Sequence, residues 1–332
     1  MQKILIIQTA FIGDVVLVTG LLEKLHTQWP DASLDILVRK GNESLFRQHP
    51  FIHEVLVWDK RKTKYQHLFS ILKKIRSIRY DKVINVQRFA ATGLLTALSK
   101  AKQTIGFDKN PFSFLFSDVI RHVVGEGDHT MHEIERNHQL ILSFTDEKAA
   151  KPKLYPTAAD EALVIQWKQK PYICIAPASV WFTKQFPADQ WSHFVDALPN
   201  QVAVYLIGAS GDHALCEKIK LTSKRPLVIN LAGQLNFLQS AALMKNAIMN
   251  YVNDSAPMHF ASAVNAPVTA VYCSTIPAFG FGPLSDISHI VETAQPLSCR
   301  PCGLHGRKKC PLGHFNCAGF ITRQQLLAVL PH

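Results

Sequence analysis

Residues 246–272 read NAIMNYVNDSAPMHFASAVNAPVTAVY, and this stretch decides the fold class. Residues 247–252 form an apolar run of strand length, and the polar residues 253–255 that follow are of types that cap helices. The pattern predicts a helix over 258–264 and a second buried strand over 268–272. A strand, a tight turn, a helix and a further strand make up the repeating unit of parallel α/β sheets.

The turn between the first strand and the helix has the character of a phosphate site. Ligands of open α/β sheets bind at the carboxyl ends of the strands, where a helix that begins there directs unpaired N–H groups and a positive dipole end at them. We therefore expect a phosphate group at residues 253–257. A capped helix, present in any βαβ unit, explains the same residues without a ligand.

Strand and helix patterns alternate along the remainder of the chain. Apolar runs at 3–8, 33–38, 172–176 and 202–207 have strand length, and a helical pattern follows each of them. This alternation predicts doubly wound parallel sheets, the α/β fold class.

The length of the chain predicts two domains. Its 332 residues suffice for two domains of average size, each with its own core. Residues 148–156 combine charge, alanine and two prolines, which is typical of a linker. We therefore expect one domain at 1–150 and a second at 151–332.

The net charge of +11 indicates an acidic partner, which can be nucleic acid, an anionic membrane surface or a phosphorylated substrate. Nine of residues 60–82 are Lys or Arg, against Asp81 alone, although a solvated helix face has the same composition. Nucleic-acid binding would need exposed aromatic side chains among these cations, and the stretch offers only Tyr65, Phe69 and Tyr80. We expect no nucleic-acid partner.

The apolar runs of the sequence are too short to span a bilayer. Asp14 also interrupts the apolar amino terminus, which the core of a signal peptide would not tolerate. These features predict a cytoplasmic protein, and the basic charge allows peripheral contact with the inner-membrane surface.

Four of the seven cysteines lie close together in the sequence, as Cys299-x2-Cys302-x7-Cys310-x6-Cys317. In a chain without an export signal, this spacing favours free thiols or a metal over disulfides. The first pair has the spacing of zinc ligands, whereas the second pair is too far apart for a standard zinc ribbon. A structural zinc and a cysteine-rich loop without metal both remain open, so the metal is unknown.

The residues TAFIGD at 9–14 join the first strand to a helical pattern. Gly13 lets the backbone turn sharply or approach a ligand, and Asp14 would stand at the start of the helix with its carboxylate in the crevice. A helix cap is the structural alternative for Asp14. Arg88 follows another predicted strand, from which it would reach the same crevice or form a surface ion pair.

Four motifs together resemble those of the bacterial heptosyltransferases that build the lipopolysaccharide core, glycosyltransferase family 9. They stand in the order found in that family, at Gly13-Asp14, at 179–184, at 254–259 and in CRPCGLHGRKKCPLGHFNC at 299–317. The resemblance spans nearly the whole chain. Three residues depart from the family pattern: Gly20 stands where many relatives have Pro, Gln239 stands where relatives often place Glu, and Cys273 stands where the family commonly has Gly.

The resemblance implies the GT-B fold, in which two Rossmann-like doubly wound domains face each other across a cleft. The first domain would bind the acceptor and the second the nucleotide-sugar donor, and the last helix is free to pack back on the first domain. Asp14 would be the catalytic base, with Gly13 and Arg88 binding the acceptor. The implied donor-binding residues are Ser179, Lys184, Gly208, Gln239, Asp254, Ser255, Ala256 and His259.

The activity implied by the resemblance is inverting transfer of a heptose-like sugar from ADP-heptose to lipopolysaccharide core or a related glycolipid. No cofactor is required in this interpretation, because Lys184 and a helix start would stabilise the diphosphate, and the chain has no Asp-x-Asp motif for Mg²⁺. Hydride chemistry is disfavoured, since the glycine loop at 208–212 lacks the GxGxxG spacing. The alternatives are another GT-B sugar-nucleotide enzyme, for a different sugar or an epimerase, and a non-catalytic protein that binds nucleotide sugars or glycolipids.

Overall fold

The strands of the chain form two separate parallel sheets. The computed structural model describes residues 1–60, 64–124 and 131–331, so Arg61 and Lys62 of the basic stretch lie outside the described residues. The chain divides into two compact units, Met1–Tyr155 and Pro156–His332. Within the described residues, each unit is built on one six-stranded sheet.

The first unit has a single doubly wound sheet. Its helices and strands, in chain order, are β1 Lys3–Ile7, α1 Ile12–Gln28, β2 Ser33–Arg39, β3 Ile52–Trp58, α2 Lys64–Ile78, β4 Lys82–Asn85, α3 Ala90–Ala97, β5 Gln103–Phe107, β6 Asp118–Ile120 and α4 Glu133–His138. The strands are ordered β3-β2-β1-β4-β5-β6 in the sheet, and every neighbouring pair is parallel.

The second unit repeats this topology. Its helices and strands are α5 Ala158–Val164, β7 Tyr172–Ala176, α6 Ala188–Asp196, β8 Ala203–Leu206, α7 His213–Thr222, β9 Val228–Asn230, α8 Phe237–Lys245, β10 Met249–Asn253, α9 Ala256–Ala263, β11 Val268–Tyr272, β12 Ser288–Glu292, α10 Asn316–Gly319 and α11 Arg323–Leu327. The strands are ordered β12-β11-β10-β7-β8-β9 in the sheet. When β7 is counted as the first strand and the sheet is read from its other edge, this is the order of the first sheet, and all pairs are parallel. The prediction of doubly wound parallel sheets is therefore confirmed in both halves.

Each sheet has a point where the strand order reverses, between β1 and β4 in the first unit and between β7 and β10 in the second. The loops after these two strands diverge to opposite faces of the sheet, which opens a crevice at their carboxyl ends. Asp14 and Arg88 follow β1 and β4, and residues 179–184 and 254–256 follow β7 and β10. These predicted site residues thus lie at the two crevices, whereas Gly208 follows β8 and Gln239 lies in α8.

The central strands are buried on both faces because helices cover both sides of each sheet. All five residues of β10 and of β11 are buried, which explains why the opening stretch reads as two largely apolar runs. Helix α1 continues through Gly20, so the departure from the family pattern leaves it intact. A Cβ at Gly20 would collide with the carbonyl oxygen of Ala150, and glycine lets the end of the first unit pack directly on α1.

Helix α11 packs within the second unit, although the resemblance allowed the last helix to pack back on the first domain. Leu326 is fully buried in the core of the second unit, and its carbonyl accepts a hydrogen bond of 3.0 Å from Tyr251 Oη on β10. Helix α6 is its neighbour. A buried leucine at this position therefore holds the end of the chain to its own sheet.

None of the helices in the described part of the chain combines the length and the apolar character needed to cross a membrane.

Candidate functional site

The crevice of the second unit brings Lys184 and Asp254 together. Lys184 Nζ lies 2.7 Å from Asp254 Oδ2, and the two side chains are only 14% and 10% exposed. Thr275, which follows β11, donates its hydroxyl to the same Asp254 oxygen at 2.6 Å. Asp254, two residues before α9, therefore holds an ammonium group at the carboxyl ends of the strands, where folds of this type bind anions.

Asn253 joins the loop after β7 to the end of β10. It is fully buried, its Nδ2 donates to the carbonyl of Pro177 at 2.7 Å, and its Oδ1 accepts from the N–H of Phe186 at 3.0 Å. These two bonds hold both ends of the loop that carries Lys184. The Asn253 side chain thus joins the end of β10 to the loop after β7 and does not cap α9.

Thr183 anchors the cysteine-rich segment beside Lys184. Its N–H donates to the carbonyl of Arg307 at 3.1 Å, while its hydroxyl oxygen accepts from the N–H of Arg307 at 2.7 Å. Ser274 donates its own hydroxyl to the same oxygen at 2.9 Å. The cysteine-rich segment at 299–317 therefore lies beside Lys184. The sequence alone did not indicate this contact.

The four cysteines of this segment are free thiols, as are the other three of the chain. In residues 1–60, 64–124 and 131–331, no group of three or more His, Cys, Asp or Glu side chains is placed to hold a metal ion. Hydrogen bonds hold the segment to the second unit, among them one of 2.8 Å from Cys302 N–H to the carbonyl of Ser274. Arg300 Nε adds another of 2.8 Å to the carbonyl of Cys273.

Gly306 is required where the cysteine-rich segment touches Lys184. Its φ is +75°, and a Cβ there would lie 2.9 Å from Lys184 Cγ and 3.1 Å from Thr183 Oγ1. We expect Gly306→Ala to displace the stem of Lys184 and to weaken binding of a nucleoside diphosphate about tenfold, or about 1.4 kcal/mol. Isothermal titration with ADP measures this change.

Gly313→Ala is the matched control, because Gly313 also has φ +75° but a Cβ there meets nothing within 4 Å. Both variants should lose about 1–2 kcal/mol of stability from the left-handed backbone alone. Only Gly306→Ala should lose affinity. Equal affinities of the two variants for ADP would contradict the contact with Lys184 as the cause.

Ser255, Ala256 and His259 lie together at the start of α9. Ser255 is the N-cap residue, but its hydroxyl donates to the carbonyl of Asn253 at 3.3 Å and does not cap the helix. Ala256 is the first helical residue, and His259 is buried in the first turn. With no side-chain cap from Ser255, the N–H groups at this end remain suited to an anion.

Three other predicted donor residues have structural roles of their own. The carbonyl of Ser179, after β7, accepts a bond of 2.6 Å from Gln185 Nε2. A Cβ at Gly208 would lie 2.9 Å from Asp212 Oδ2, so glycine is required there by the chain itself. Gln239 Oε1 accepts from Asn236 N–H at 2.9 Å in the capping box of α8, which engages one end of the amide of this predicted donor-binding residue.

Gly13 and Asp14 are the second and third residues of α1, directly after the loop that follows β1. Asp14 is half-buried in the first turn, where the helix dipole favours a negative charge. Lys60 Nζ fixes the preceding loop by donating to the carbonyl of Thr9 at 2.9 Å, and Asn42 Nδ2 donates to the carbonyl of Ala10 at 3.2 Å. The Asp14 carboxylate thus follows a loop whose backbone is held by these two hydrogen bonds.

Arg88 is exposed after β4, next to the buried Gln87. Asp14 and Arg88 both act electrostatically on Glu133, at the start of α4. Burial raises the pKa of Glu133, the ion pair with Arg136 and the charge of Arg88 oppose that rise, and Asp14 adds to it. Helix α4, which carries the ion pair of Glu133 and Arg136, packs on α1, which carries Asp14.

Comparison with known proteins gives consistent matches. The family model described as glycosyltransferase family 9 (heptosyltransferase) matches residues 68–311. Lipopolysaccharide heptosyltransferase 3 of Escherichia coli (strain K12) is 25% identical over 292 residues, which cover 79% of this chain and 80% of that protein. Lipooligosaccharide heptosyltransferase 2 of Haemophilus influenzae (strain Rd) is 24% identical over 328 residues, 89% of each chain.

A solved structure shares the fold. The structure of ADP-heptose lipopolysaccharide heptosyltransferase II of Escherichia coli has a TM-score of 0.81 to this chain at 20% identity, and the match covers 99% of this chain and 97% of that one. At this level of identity the likeness is evidence for the fold. It confirms the prediction of two parallel-sheet α/β domains of the GT-B type.

Proposed function

Because this chain belongs to glycosyltransferase family 9, the heptosyltransferase family, we propose that it moves a heptose-like sugar from a nucleoside diphosphate to lipopolysaccharide core or a related glycolipid. The structural observation that carries the proposal is the ammonium group of Lys184, held by Asp254 at the switch point beside the start of α9. Such a site suits the diphosphate of the donor. The second unit would bind this donor and the first unit the acceptor.

ADP-heptose is the donor we propose, since the solved structure with the same fold is named as an ADP-heptose enzyme and two relatives are named as heptosyltransferases. Ser179 and Ser255 would bind the phosphates with Lys184. Gly208 would lie near the base. Gln239 would reach the ribose only with the amide nitrogen or after leaving its capping bond, because its oxygen is engaged with Asn236.

Transfer would proceed by a single displacement with Asp14 as the base. The Asp14 carboxylate takes the proton of an acceptor hydroxyl as that oxygen forms its bond to the anomeric carbon of the donor sugar. The bond from that carbon to the diphosphate breaks, and its electron pair leaves with the nucleoside diphosphate. Because the oxygen attacks from the face opposite the leaving group, the configuration at the anomeric carbon inverts.

The leaving diphosphate would be stabilised by this chain's own groups. Lys184 supplies a positive charge, the start of α9 supplies N–H groups, and the buried His259 lies in the first turn of the same helix. These groups can do the work that Mg²⁺ does in other transferases, so we propose that no metal cofactor is required.

The acceptor would be bound by Gly13 and Arg88 in the first unit. Arg88 is exposed and positive, which suits an acidic or phosphorylated core sugar. The net charge of +11 fits a protein that works at the cytoplasmic surface of the inner membrane, where both the acceptor and the lipid headgroups are anionic.

Calorimetric titration with ADP, UDP, GDP and the corresponding sugar nucleotides tests the donor. We expect ADP and ADP-heptose to bind most tightly, and ADP-heptose to be consumed in the presence of a lipopolysaccharide core acceptor at the same rate with and without EDTA. Loss of activity in EDTA that Mg²⁺ restores would contradict the proposal of a metal-independent site. Preference for UDP or GDP would exclude ADP-heptose as the donor.

A further inference from the structure

Two side-chain amides meet at the switch point of the first sheet. Gln8 follows β1 and Gln87 follows β4, and the two residues are only 2% and 6% exposed. Gln87 Nε2 donates a hydrogen bond to Gln8 Oε1. The amide pair therefore joins the ends of the two strands between which the strand order reverses, where a doubly wound sheet binds its ligand.

Backbone hydrogen bonds hold both residues in place. The N–H of Gln8 donates to the carbonyl of Leu37 at 3.0 Å, at the end of the pairing between β1 and β2. The N–H of Gln87 donates to Asn85 Oδ1 at 2.9 Å, and the carbonyl of Gln87 accepts from Asn110 Nδ2 at 2.9 Å. Both amides therefore extend from segments whose position is set by the sheet and its neighbouring loops.

The N–H of Ala10 determines the orientation of both amides. It donates to Gln8 Oε1 at 3.2 Å, so the oxygen of the Gln8 amide, and not its nitrogen, must face Ala10. Because the same oxygen also faces Gln87, the Gln87 amide must present its nitrogen there. The reverse orientation of either amide would place two donors or two acceptors against each other.

Within the described part of the chain, this orientation leaves two polar atoms without a partner. One is Gln8 Nε2, which is open to solvent, and the other is Gln87 Oε1, which is buried. A buried acceptor without a hydrogen bond destabilises a fold, and an apolar side chain at position 87 would avoid this effect. The stability of the first unit therefore does not explain the amide pair, which instead points to a ligand.

We propose that Gln8 binds the acceptor sugar through Nε2 and that Gln87 orients the Gln8 amide for this contact. The proposal rests on the function proposed above, in which the first unit binds the acceptor. Gln8 Nε2 donates to a hydroxyl or ring oxygen of the sugar, as a neutral donor of fixed direction. Gln8 begins the loop after β1 and Asp14 follows that loop, so a sugar held by Gln8 lies at the crevice of the proposed base.

Gln8→Glu tests the donated hydrogen bond. An ionised carboxylate at position 8 can still accept from Ala10 and Gln87, whereas it has no N–H to donate. We expect the affinity for a de-acylated lipopolysaccharide core oligosaccharide to fall about tenfold, and the KM for this acceptor to rise by a similar factor. The affinity for ADP, which the second unit would bind, should not change. Calorimetric titration with the oligosaccharide and with ADP measures both affinities.

Gln8→Met separates sugar binding from a structural role. Methionine is neutral and close to glutamine in size, but it neither donates to the sugar nor replaces the oxygen that accepts from Ala10 and Gln87. If Gln8 only stabilised its loop, Gln8→Met would lower the melting temperature while Gln8→Glu bound the acceptor normally. Because Gln8 donates to the sugar, we expect both variants to lose affinity for the oligosaccharide to a similar extent.

Gln2→Glu is the matched control for the added negative charge. Gln2 precedes β1, so it lies at the opposite end of the same strand, about 20 Å from Gln8. This separation exceeds the Debye length of about 10 Å at 0.1 M salt, so a charge at position 2 is screened from the crevice. The Gln2 variant should bind both the oligosaccharide and ADP like the unaltered chain.

The outcomes separate this inference from the proposed function. Normal affinity of Gln8→Glu for the oligosaccharide would overturn the inference, as would an equal loss in Gln8→Glu and Gln2→Glu, and sugar transfer by the unaltered chain would still support the proposed function. Because the titration needs no turnover, it decides the inference even in a chain that binds the acceptor without transferring sugar. If the unaltered chain does not bind the oligosaccharide, both the inference and the proposed acceptor are wrong.

Discussion

Asp14→Ala is expected to lower the rate of sugar transfer by about a hundredfold to ten-thousandfold, the usual contribution of a general base. The carboxylate that takes the proton of the acceptor hydroxyl is lost, whereas the proposed diphosphate contacts in the second unit are unchanged. Affinity for ADP should therefore stay the same. Steady-state kinetics and calorimetric titration with ADP separate the two effects.

Glu23→Gln provides the matched control for this experiment. Glu23 is also on α1, and its Oε1 accepts a hydrogen bond of 2.8 Å from Tyr155 Oη, which a glutamine can still accept. We expect this variant to keep its activity. Asp14→Ala should lose no more than about 0.3–1 kcal/mol of stability, the contribution of an acidic residue in the first turn. Full turnover by the Asp14 variant would remove this residue as the base.

Lys184→Ala is expected to weaken binding of a nucleoside diphosphate by at least about thirtyfold, or about 2 kcal/mol. Lys184 is a cation at the crevice of the second unit, and alanine would leave the carboxylate of Asp254 without this partner, facing the anionic ligand. Thr275 still donates to that carboxylate, so the local structure keeps one of its partners. Calorimetric titration with ADP at constant ionic strength measures the loss.

Lys168→Ala is the matched control for Lys184→Ala, because both lysines are largely buried and each forms an ion pair with a carboxylate. Lys168 is 11% exposed and its Nζ lies 2.7 Å from Glu161 Oε2, but it precedes β7, so it lies at the amino end of that strand. Its removal should lower the melting temperature and leave the affinity for ADP intact. If both lysine variants lose the same affinity, or if Lys184→Ala binds ADP normally, Lys184 is not a phosphate contact.

The fold was predictable from the sequence because its determinants are local. The residues of β10 and β11 are mostly apolar, with Asn250, Asn253 and Thr269 as buried exceptions, since helices bury both faces of the sheet, and the polar turn after β10 marks its carboxyl end. Helix α9 begins at Ala256, two residues before the predicted start, because Pro257 is accepted in the first turn. Such shifts at boundaries change neither the topology nor the place of the crevice.

The contacts of individual site residues were not predictable, because they depend on segments far apart in the chain. Asn253 and Asp254 have the chemistry of caps, but they bind the loop after β7, about 70 residues away. The requirement for Gly20 follows from Ala150, and the place of α11 follows from Tyr251. The order of residue types along the chain does not tell which distant residues will contact each other.

The sequence also missed residues that support the site. Thr183 lies inside the motif at 179–184 and Thr275 follows β11, but the sequence assigned neither of them a role, which is visible only in their bonds to Arg307 and Asp254. Glu133 opens the stretch EIERNH, and a glutamate followed three residues later by an arginine is a common pattern in helices. Its burial beside α1 is the feature that distinguishes it, and burial of one particular charge is decided by packing.

The anomeric configuration of the transferred sugar tests the central claim most directly. The purified chain is incubated with ADP-heptose and a lipopolysaccharide core acceptor, and the one-bond carbon–hydrogen coupling at the new anomeric centre is measured by NMR. A single displacement with Asp14 as the base yields a product whose configuration is opposite to that of the donor. A product with the configuration of the donor, or release of ADP without a glycosylated acceptor, would contradict it.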